Sequence, residues 1–481
     1  NTFNRTRNLN NVYLTTFAAR GAAHWPGNLK AYRIEGGTIV DATGADAVDP
    51  TTGFFYPTAR SFWTSGQSDG NDVLLGGAAN QLPDPSIRRL FTDNGFDETL
   101  SGATNAISTG NIDRYTAADF GISGDTPELA DIIDWMRGKD VKDEDGDPTT
   151  TVRYAMGDPL HSRPAAIIYG GTAENPISVI YTATNDGYLH AIDAQTGKEL
   201  WSYVPKELLP RMARLYDDPE MKYKLYGIDG DIIPVTRDTN GDGQIEAADD
   251  DFAFILFGMR RGGITYRLLD VTDKDNPVLV WERRLNEAGQ SWSPPVVTRM
   301  DISDSGQDDI KAVVVLGGGY DGVHDTAAFN PAVDRAGAGI HVLDLFDGTT
   351  VWRAGHTSTD ADLKLAEMTR SIPTRIKVVD INGDGFADRM YASDLGGQLW
   401  RFDISNGNPA ASVIAGGVIA RLGAEGLDVP TPADTRRFYN SPDVAIFNDV
   451  RQNRRFISVS IGSGYRAHPL DLSETDRFYS L

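Results

Sequence analysis

The chain contains no cysteine in its 481 residues. Disulfides, thiolate-bound zinc and a cysteine nucleophile are therefore excluded, although this leaves the compartment open. No run of about 18 apolar residues occurs, so no membrane-spanning helix is expected. No signal peptide opens the sequence. NTFNRTRNLN reads as the middle of something longer, and a fragment of a secreted precursor is the expectation. Positive charge is short as well: 45 Lys and Arg stand against 68 Asp and Glu, a formal charge of −23. Nothing supplies the basic face that nucleic acid requires, whereas divalent cations suit such a surface. The 7 histidines are scattered. His161 in GDPLHSRP and His190 in YLHAID read as structural polar residues, and no Ser-His-Asp order can be argued. The tripeptide Arg-Gly-Asp is absent, so integrin binding has no motif.

What the chain does have is apolar residues (40%), 50 Gly and 24 Pro, enough for a large core with many turns. Its strongest organisational signal is an internal repeat. In VIYTATNDGYLHAIDAQTGKELW a strand, a Gly turn, a second strand, an Asp-rich turn and a third strand end in Trp201. The plan returns in FILFGMRRGGITYRLLDVTDKDNPVLVW, ending at Trp281, and in VVVLGGGYDG followed by GIHVLDLFDGTTVW, ending at Trp352. MYASDLGGQLWRFDISNG is a fourth copy and FISVSIGSGYRAHPLDL a less complete fifth. Each copy is preceded by a further strand: SRPAAIIY, GDIIPVTRD, SPPVVTRMD, SIPTRIKVVD and NSPDVAIFND. Four short strands per unit predict an all-β fold, a modified β-propeller with quinoprotein-like blades. The N-terminal NVYLTTF and GNLKAYRIEGGTIVDATG echo the plan, giving about six recognisable units and an expected ring of six to eight, with seven the single expectation. Trp201, Trp281 and Trp352 are expected to fill gaps between blades.

The repeat is lost between residues 47 and 153. There TPELADIIDWMRGKDV predicts a helix, with Thr126 as N-cap, Pro127 at its first position and an apolar stripe of Leu129, Ile132, Ile133 and Met136. PSIRRLFTD predicts a second short helix, and DVKDEDGDPTT an exposed loop. The expected organisation is N-terminal blade strands over 1–46, a partly helical insertion packed on the ring over 47–153, and the main blades over 154–481.

DINGDGFAD, residues 380–388, has the oxygen spacing of a calcium loop. Calcium takes six to eight oxygens, and side-chain donors at every second residue can wrap it. Asp380, Asn382 and Asp384 occupy positions one, three and five, Gly385 allows the turn, Phe386 offers its carbonyl, and Asp388 closes the loop at position nine. Position twelve, Glu in an EF-hand, is Tyr391 inside a strand, so the expectation is a calcium-stapled β-hairpin. DTNGDGQIEAAD, residues 238–249, repeats the spacing with Asp238, Asn240, Asp242, the carbonyl of Gln244, and either Glu246 or Asp249 as the closing acid. DISDSGQDD keeps Asp301 and Asp309 but has Ser303 and Ser305 between them, the mark of a weak or lost site. All three fall between the first and second strands of their blades. The alternative is that these residues make only Asx-turns, but carboxylates held close together repel, so a cation is the simpler account.

Trp-ending blades also occur in quinone-dependent dehydrogenases, whose repeat DGYLHAIDAQTGKELW resembles. The adjacent cysteine pair such enzymes often carry is missing, so no enzyme is expected. GGGYDG, residues 317–322, lacks the Lys-Ser/Thr and the following helix of a phosphate loop and reads as a turn.

HWPGNLKAYRI, GFFYPTARSFW, GDPLHSRP, YTATNDGYLHAIDAQTGKELW, LLDVTD and SIGSGYRAHPLD together resemble the C-terminal domain of the PilY-type type IV pilus proteins, in matching order over nearly the whole chain. The resemblance implies a modified propeller at the end of a large secreted protein, on the outer surface at the pilus tip and in the periplasm in transit. It implies support of pilus biogenesis, of extension and retraction, of twitching motility and of adhesion. The implied partners are pilus subunits or minor pilins and host or abiotic surfaces. The family's propeller binds Ca2+ in a nine-residue loop that Asp380, Asn382, Asp384, Phe386 and Asp388 match position by position, and an earlier loop of some members resembles residues 238–246. A calcium-stapled interaction scaffold without a switch role is the competing expectation.

Overall fold

The stretch VIYTATNDGYLHAIDAQTGKELW folds as two tight hairpins made by the strands Pro176–Ala183, Leu189–Asp193 and Glu199–Tyr203. Ala165–Gly171 pairs ahead of them, giving the antiparallel order expected of a blade. The Asp-rich turn closes through its own chemistry. Asp193 Oδ1 accepts the N–H and hydroxyl of Thr196, and Gly197 takes φ +72°, a left-handed conformation that a side chain would strain.

The computed structural model describes residues 10–95, 99–124, 126–144, 146–173, 175–303, 309–326, 333–449 and 454–481. Among them the six recognisable units appear as six mainly antiparallel sheets. Asn11–Phe17, Pro26–Glu35 and Thr38–Val40 form the first, joined by Met156–Gly157. The third runs Ile232–Arg237, Phe252–Gly258, Thr265–Asp270, Val278–Arg284. The fourth begins Val296–Asp301, Ile310–Gly317, Gly339–Asp344, Thr350–Gly355. The fifth runs Lys377–Val379, Arg389–Ser393, Gln398–Ile404, Ile414–Arg421. The last has Asp443–Asp449 and Arg454–Gly462, and its third strand is Phe478–Ser480 rather than the YRAHPLDL segment expected to supply it. The fold class is thus all-β with propeller-type blades. No described helix is long and apolar enough to cross a membrane.

The chain divides into two compact units, residues 1–256 with 268–280, and residues 257–267 with 281–481. The N-terminal strands, the insertion and the second sheet all fall in the first. There Trp201 is fully buried and its Nε1 donates to the Lys274 carbonyl at 2.8 Å, in the turn of the following repeat. Trp63 does the same to Ala194 at 3.2 Å, which makes it the missing Trp of the N-terminal repeat. In the second unit Trp281 donates to the Leu345 carbonyl at 2.8 Å, and Trp352 is buried with Trp400 and Phe402 in one apolar core.

The insertion is pinned by buried cations. Lys30 Nζ donates to the carbonyls of Asp69, Gly70 and Asp72 at 2.7–3.2 Å. Arg88 makes a bidentate pair with Glu199 at 2.7 and 2.9 Å. Two helix expectations are corrected here. The helix is Leu129–Met136, with the extended Glu128 as N-cap; Thr126 and Pro127 lie before it. Its buried residues are Ile132, Ile133, Trp135 and Met136. PSIRRLFTD is not helical. Leu90–Phe91 extends the second sheet, parallel to Ser202 and Tyr203, because adjacent Leu and Phe are both buried and Arg88 is drawn to Glu199.

Candidate metal centre

Residues 380–388 link the first strand of the fifth sheet, Lys377–Val379, to the second, Arg389–Ser393. The loop is shaped by its own side chains. Asp380 Oδ1 accepts the Gly383 N–H at 2.6 Å and Oδ2 the Gly385 N–H at 2.9 Å. Asn382 Oδ1 accepts from Asp384 N–H, and Asp384 Oδ1 from Phe386 N–H. Gly383 and Gly385 take φ +82° and +89°. Asp388 Oδ2 reaches back to the N–H groups of Ile381 at 2.6 Å and Asn382 at 3.3 Å. The amides of Gly385 and Gly383 hold the Asp380 carboxyl below the usual carboxylate range, so it is an anion at neutral pH.

Residues 238–251 occupy the corresponding hairpin of the third sheet, between Ile232–Arg237 and Phe252–Gly258. The hydrogen bonds repeat atom for atom. Asp238 accepts from Gly241 at 2.7 Å and Gly243 at 2.9 Å, Asn240 from Asp242, and Asp242 from Gln244. Gly241 and Gly243 again have positive φ, +73° and +82°. A third acid, outside the two candidates, also closes this hairpin. Asp251 Oδ1 accepts the Thr239 N–H at 2.7 Å, the bond that Asp388 makes to Ile381, and its Oδ2 accepts the Glu246 N–H at 3.1 Å. Asp249 Oδ2 takes the Asn240 amide at 2.9 Å, and the Glu246 side chain is exposed. The N–H donors of Thr239 and Glu246 hold the Asp251 carboxyl below its ordinary range. Asp251 immediately precedes its strand, as Asp388 precedes Arg389. Counting back from the strand, rather than forward from the first Asp, would have found it.

The third hairpin, between Val296–Asp301 and Ile310–Gly317, is built differently. Asp301 Oδ1 accepts from the Ser303 hydroxyl and the Asp309 N–H, and the Asp309 carboxylate lies 3.2 Å from Lys311 Nζ. Ser305 lies outside the described residues. His161 and His190 are taken by carboxylates, Asp229 at 2.9 Å and Glu199 at 2.6 Å.

The two loops offer only oxygen: Asp380, Asn382, Asp384, Asp388 and the Phe386 carbonyl in one, and Asp238, Asn240, Asp242, Glu246, Asp249, Asp251 and the Gln244 carbonyl in the other. This set fits a hard cation such as Ca2+ in donor type and spacing. Among the described residues, no three or more His, Asp or Glu side chains are grouped closely enough to hold an ion by themselves.

Comparison with known proteins bears on somewhat more than half of the chain. A type IV pilus biogenesis factor PilY1 of Pseudomonas aeruginosa (strain UCBPP-PA14) is 28% identical over 303 residues, 56% of this chain and 22% of that protein. A PilY1 homolog of Xylella fastidiosa is 25% identical over 327 residues, 61% of this chain and 23% of that protein. The chain is related to the PilY-type pilus biogenesis factors. It spans about a quarter of the length of these PilY1 relatives. The crystal structure of the Pseudomonas aeruginosa PilY1 C-terminal domain aligns with 63% of this chain and 57% of that one, at 22% identity and a TM-score of 0.42. No family model matches.

Proposed function

We propose that this chain is a non-enzymatic, calcium-binding propeller-type region of a type IV pilus biogenesis protein. In this reading it works on the outer surface with the pilus, contacts pilus subunits or minor pilins, and supports extension and retraction, twitching motility and surface adhesion. The observation that carries the calcium part is the repetition, in two hairpins far apart in sequence, of one hydrogen-bond scheme that turns Asp, Asn and Asp side chains into the same positions. Relationship to the PilY1 factors carries the pilus part.

Asp380, Asn382, Asp384, Asp388 and the Phe386 carbonyl would hold one ion, and Asp238, Asn240, Asp242, the Gln244 carbonyl and an acid from among Glu246, Asp249 and Asp251 another. A bound cation supplies charge neutralisation there. The chain's part is to hold several anionic oxygens within one short loop, at a cost in repulsion that falls when the cation binds. If the loop loosens when the ion leaves, binding favours the ordered state by its differential affinity, the requirement for a switch.

Calcium titration by calorimetry on the parent and on Asp380→Ala and Asp388→Ala tests the ligand set: each variant should lose one site and keep the other, and either variant keeping both sites at the parent's affinity would overturn it. A second reading, in which the ion only staples a hairpin on a scaffold, is favoured by the backbone hydrogen bonds that shape each loop. A motility defect in Asp388→Ala at unchanged thermal stability supports the switch; parallel loss of both supports the staple. Dye-linked dehydrogenase activity and quinone absorbance are not expected of the purified chain.

A further inference from the structure

Each metal loop is tied to the first strand of the sheet before it, and the tie is the same in both. The residue after the carbonyl donor gives its N–H to that strand: Ala387 to the Arg299 carbonyl at 2.9 Å in the second unit, and Ile245 to the Tyr169 carbonyl at 3.0 Å in the first. Both donors are buried. The carbonyl-donor residue itself lies against the same strand. Phe386 sits under the Arg299 guanidinium, 4.7 Å from ring centroid to Cζ. Gln244 covers Gly170, where a Cβ would stand 2.9 Å from its Oε1. In the second unit Asn406 completes the junction. Its Nδ2 donates to the Ala387 carbonyl at 3.0 Å and its Oδ1 accepts the Asp301 N–H at 2.9 Å, while Gly407 N–H donates to the Asp301 carbonyl.

From this geometry we infer that the metal loops are clasps between successive sheets, and that Arg299 and Asn406 are positioning residues that pass the order of loop 380–388 to the strand Val296–Asp301. The inference rests on the calcium reading above and adds the element that the ion controls. Phe386 and Ala387 are successive residues, one offering the carbonyl for the ion and the other bonded to the neighbouring strand. Fixing the peptide between them fixes both ends of that link. The loop 238–251 does the same for Ala165–Gly171 through Gln244 and Ile245. Two loops then govern two separate junctions, so loss of one ion loosens one strand and leaves the other.

Hydrogen exchange of the full chain with calcium chloride and with a chelator tests this, read by mass spectrometry alongside calorimetric titration. Calcium is expected to slow exchange in residues 380–388 and, by about threefold or more, in Val296–Asp301. In Asn406→Ala and in Arg299→Ala the loop should still bind calcium and gain protection, but the strand's response should disappear. Arg299 is exposed, so its variant keeps the test available should Asn406→Ala fold poorly. Calcium binding with protection confined to the loop, or an unchanged strand response in both variants, would overturn the clasp while leaving the metal site intact. Failure of the parent chain to take up calcium would overturn the metal reading and the clasp with it.

Discussion

Asp251 accepts the backbone N–H of Thr239 at 2.7 Å, and that bond makes it the closing acid of the loop that starts at Asp238. Asp251 is 6% exposed and bonded at both oxygens, so it fixes the loop's ends. Asp251→Asn should weaken calcium binding at this loop by about 10- to 100-fold, the usual effect of losing a residue that orients metal ligands. Glu246→Gln should change it little, because the Glu246 side chain points into solvent. Calorimetry of both variants in an Asp380→Ala background, where only the earlier loop binds, reads the difference directly.

Much of this was legible in the sequence because repeats expose what single elements hide. Strand alternation, Asp-Gly turns and terminal Trp residues recur, so each weak signal appears several times, and each Asp-rich loop lies between first and second strands as its repeat predicts. Where the fold departs from the local pattern, a distant partner often outweighs it. Leu90 and Phe91 sit in a stretch with helix-forming neighbours, but the edge strand Glu199–Tyr203 captures them. The spacing rule counts from the loop's first residue and so does not reach Asp251, which bonds back to Thr239 from the edge of the second strand. Trp63 stands apart from the quoted repeats, and only its bond to Ala194 reveals it as the equivalent of Trp201.

Trp201 is buried without exposure, and its indole N–H is matched by the Lys274 carbonyl. Trp201→Ala would leave a large cavity and an unmatched carbonyl, so a loss of about 3–5 kcal/mol is expected. Chemical denaturation at fixed calcium measures it. Trp201→Phe keeps most of the volume and should recover more than half of the loss.

Gly197 faces Trp63 so closely that a Cβ would lie 2.5 Å from the indole, and its φ is +72°. Gly197→Ala therefore meets both a ring that cannot move aside cheaply and a left-handed backbone. The combined cost is about 2–4 kcal/mol. Gly36, also at positive φ but with nothing within 4 Å, is the control: Gly36→Ala should cost only the backbone part, about 1 kcal/mol.

Glu199 is fully buried, with Arg88 at 2.7 and 2.9 Å and His190 at 2.6 Å. Burial by itself would raise its carboxyl, but the charge of Arg88 and the hydrogen bonds from His190 and Arg88 outweigh this and bring it down to about 2. An unfolded glutamate titrates near pH ~4.3. The folded value is the lower one, so the unfolded chain binds the proton first as pH falls. The ionised carboxylate thus contributes stability that is complete above pH ~4.3 and is lost as pH falls toward 2, at ~1.4 kcal/mol per pKa unit, or roughly 3 kcal/mol in all. Glu199→Gln should abolish this part of the acid slope. At pH 7 it should also cost about 3–5 kcal/mol, because Arg88 is left buried without its counter-charge. Replacing both partners, Arg88→Met with Glu199→Leu, should restore much of the pH 7 stability while keeping the flat acid profile. Denaturation midpoints of the three chains between pH 7 and pH 3 decide it, and a Glu199→Gln profile parallel to the parent's would show that the pair is not what ties stability to pH.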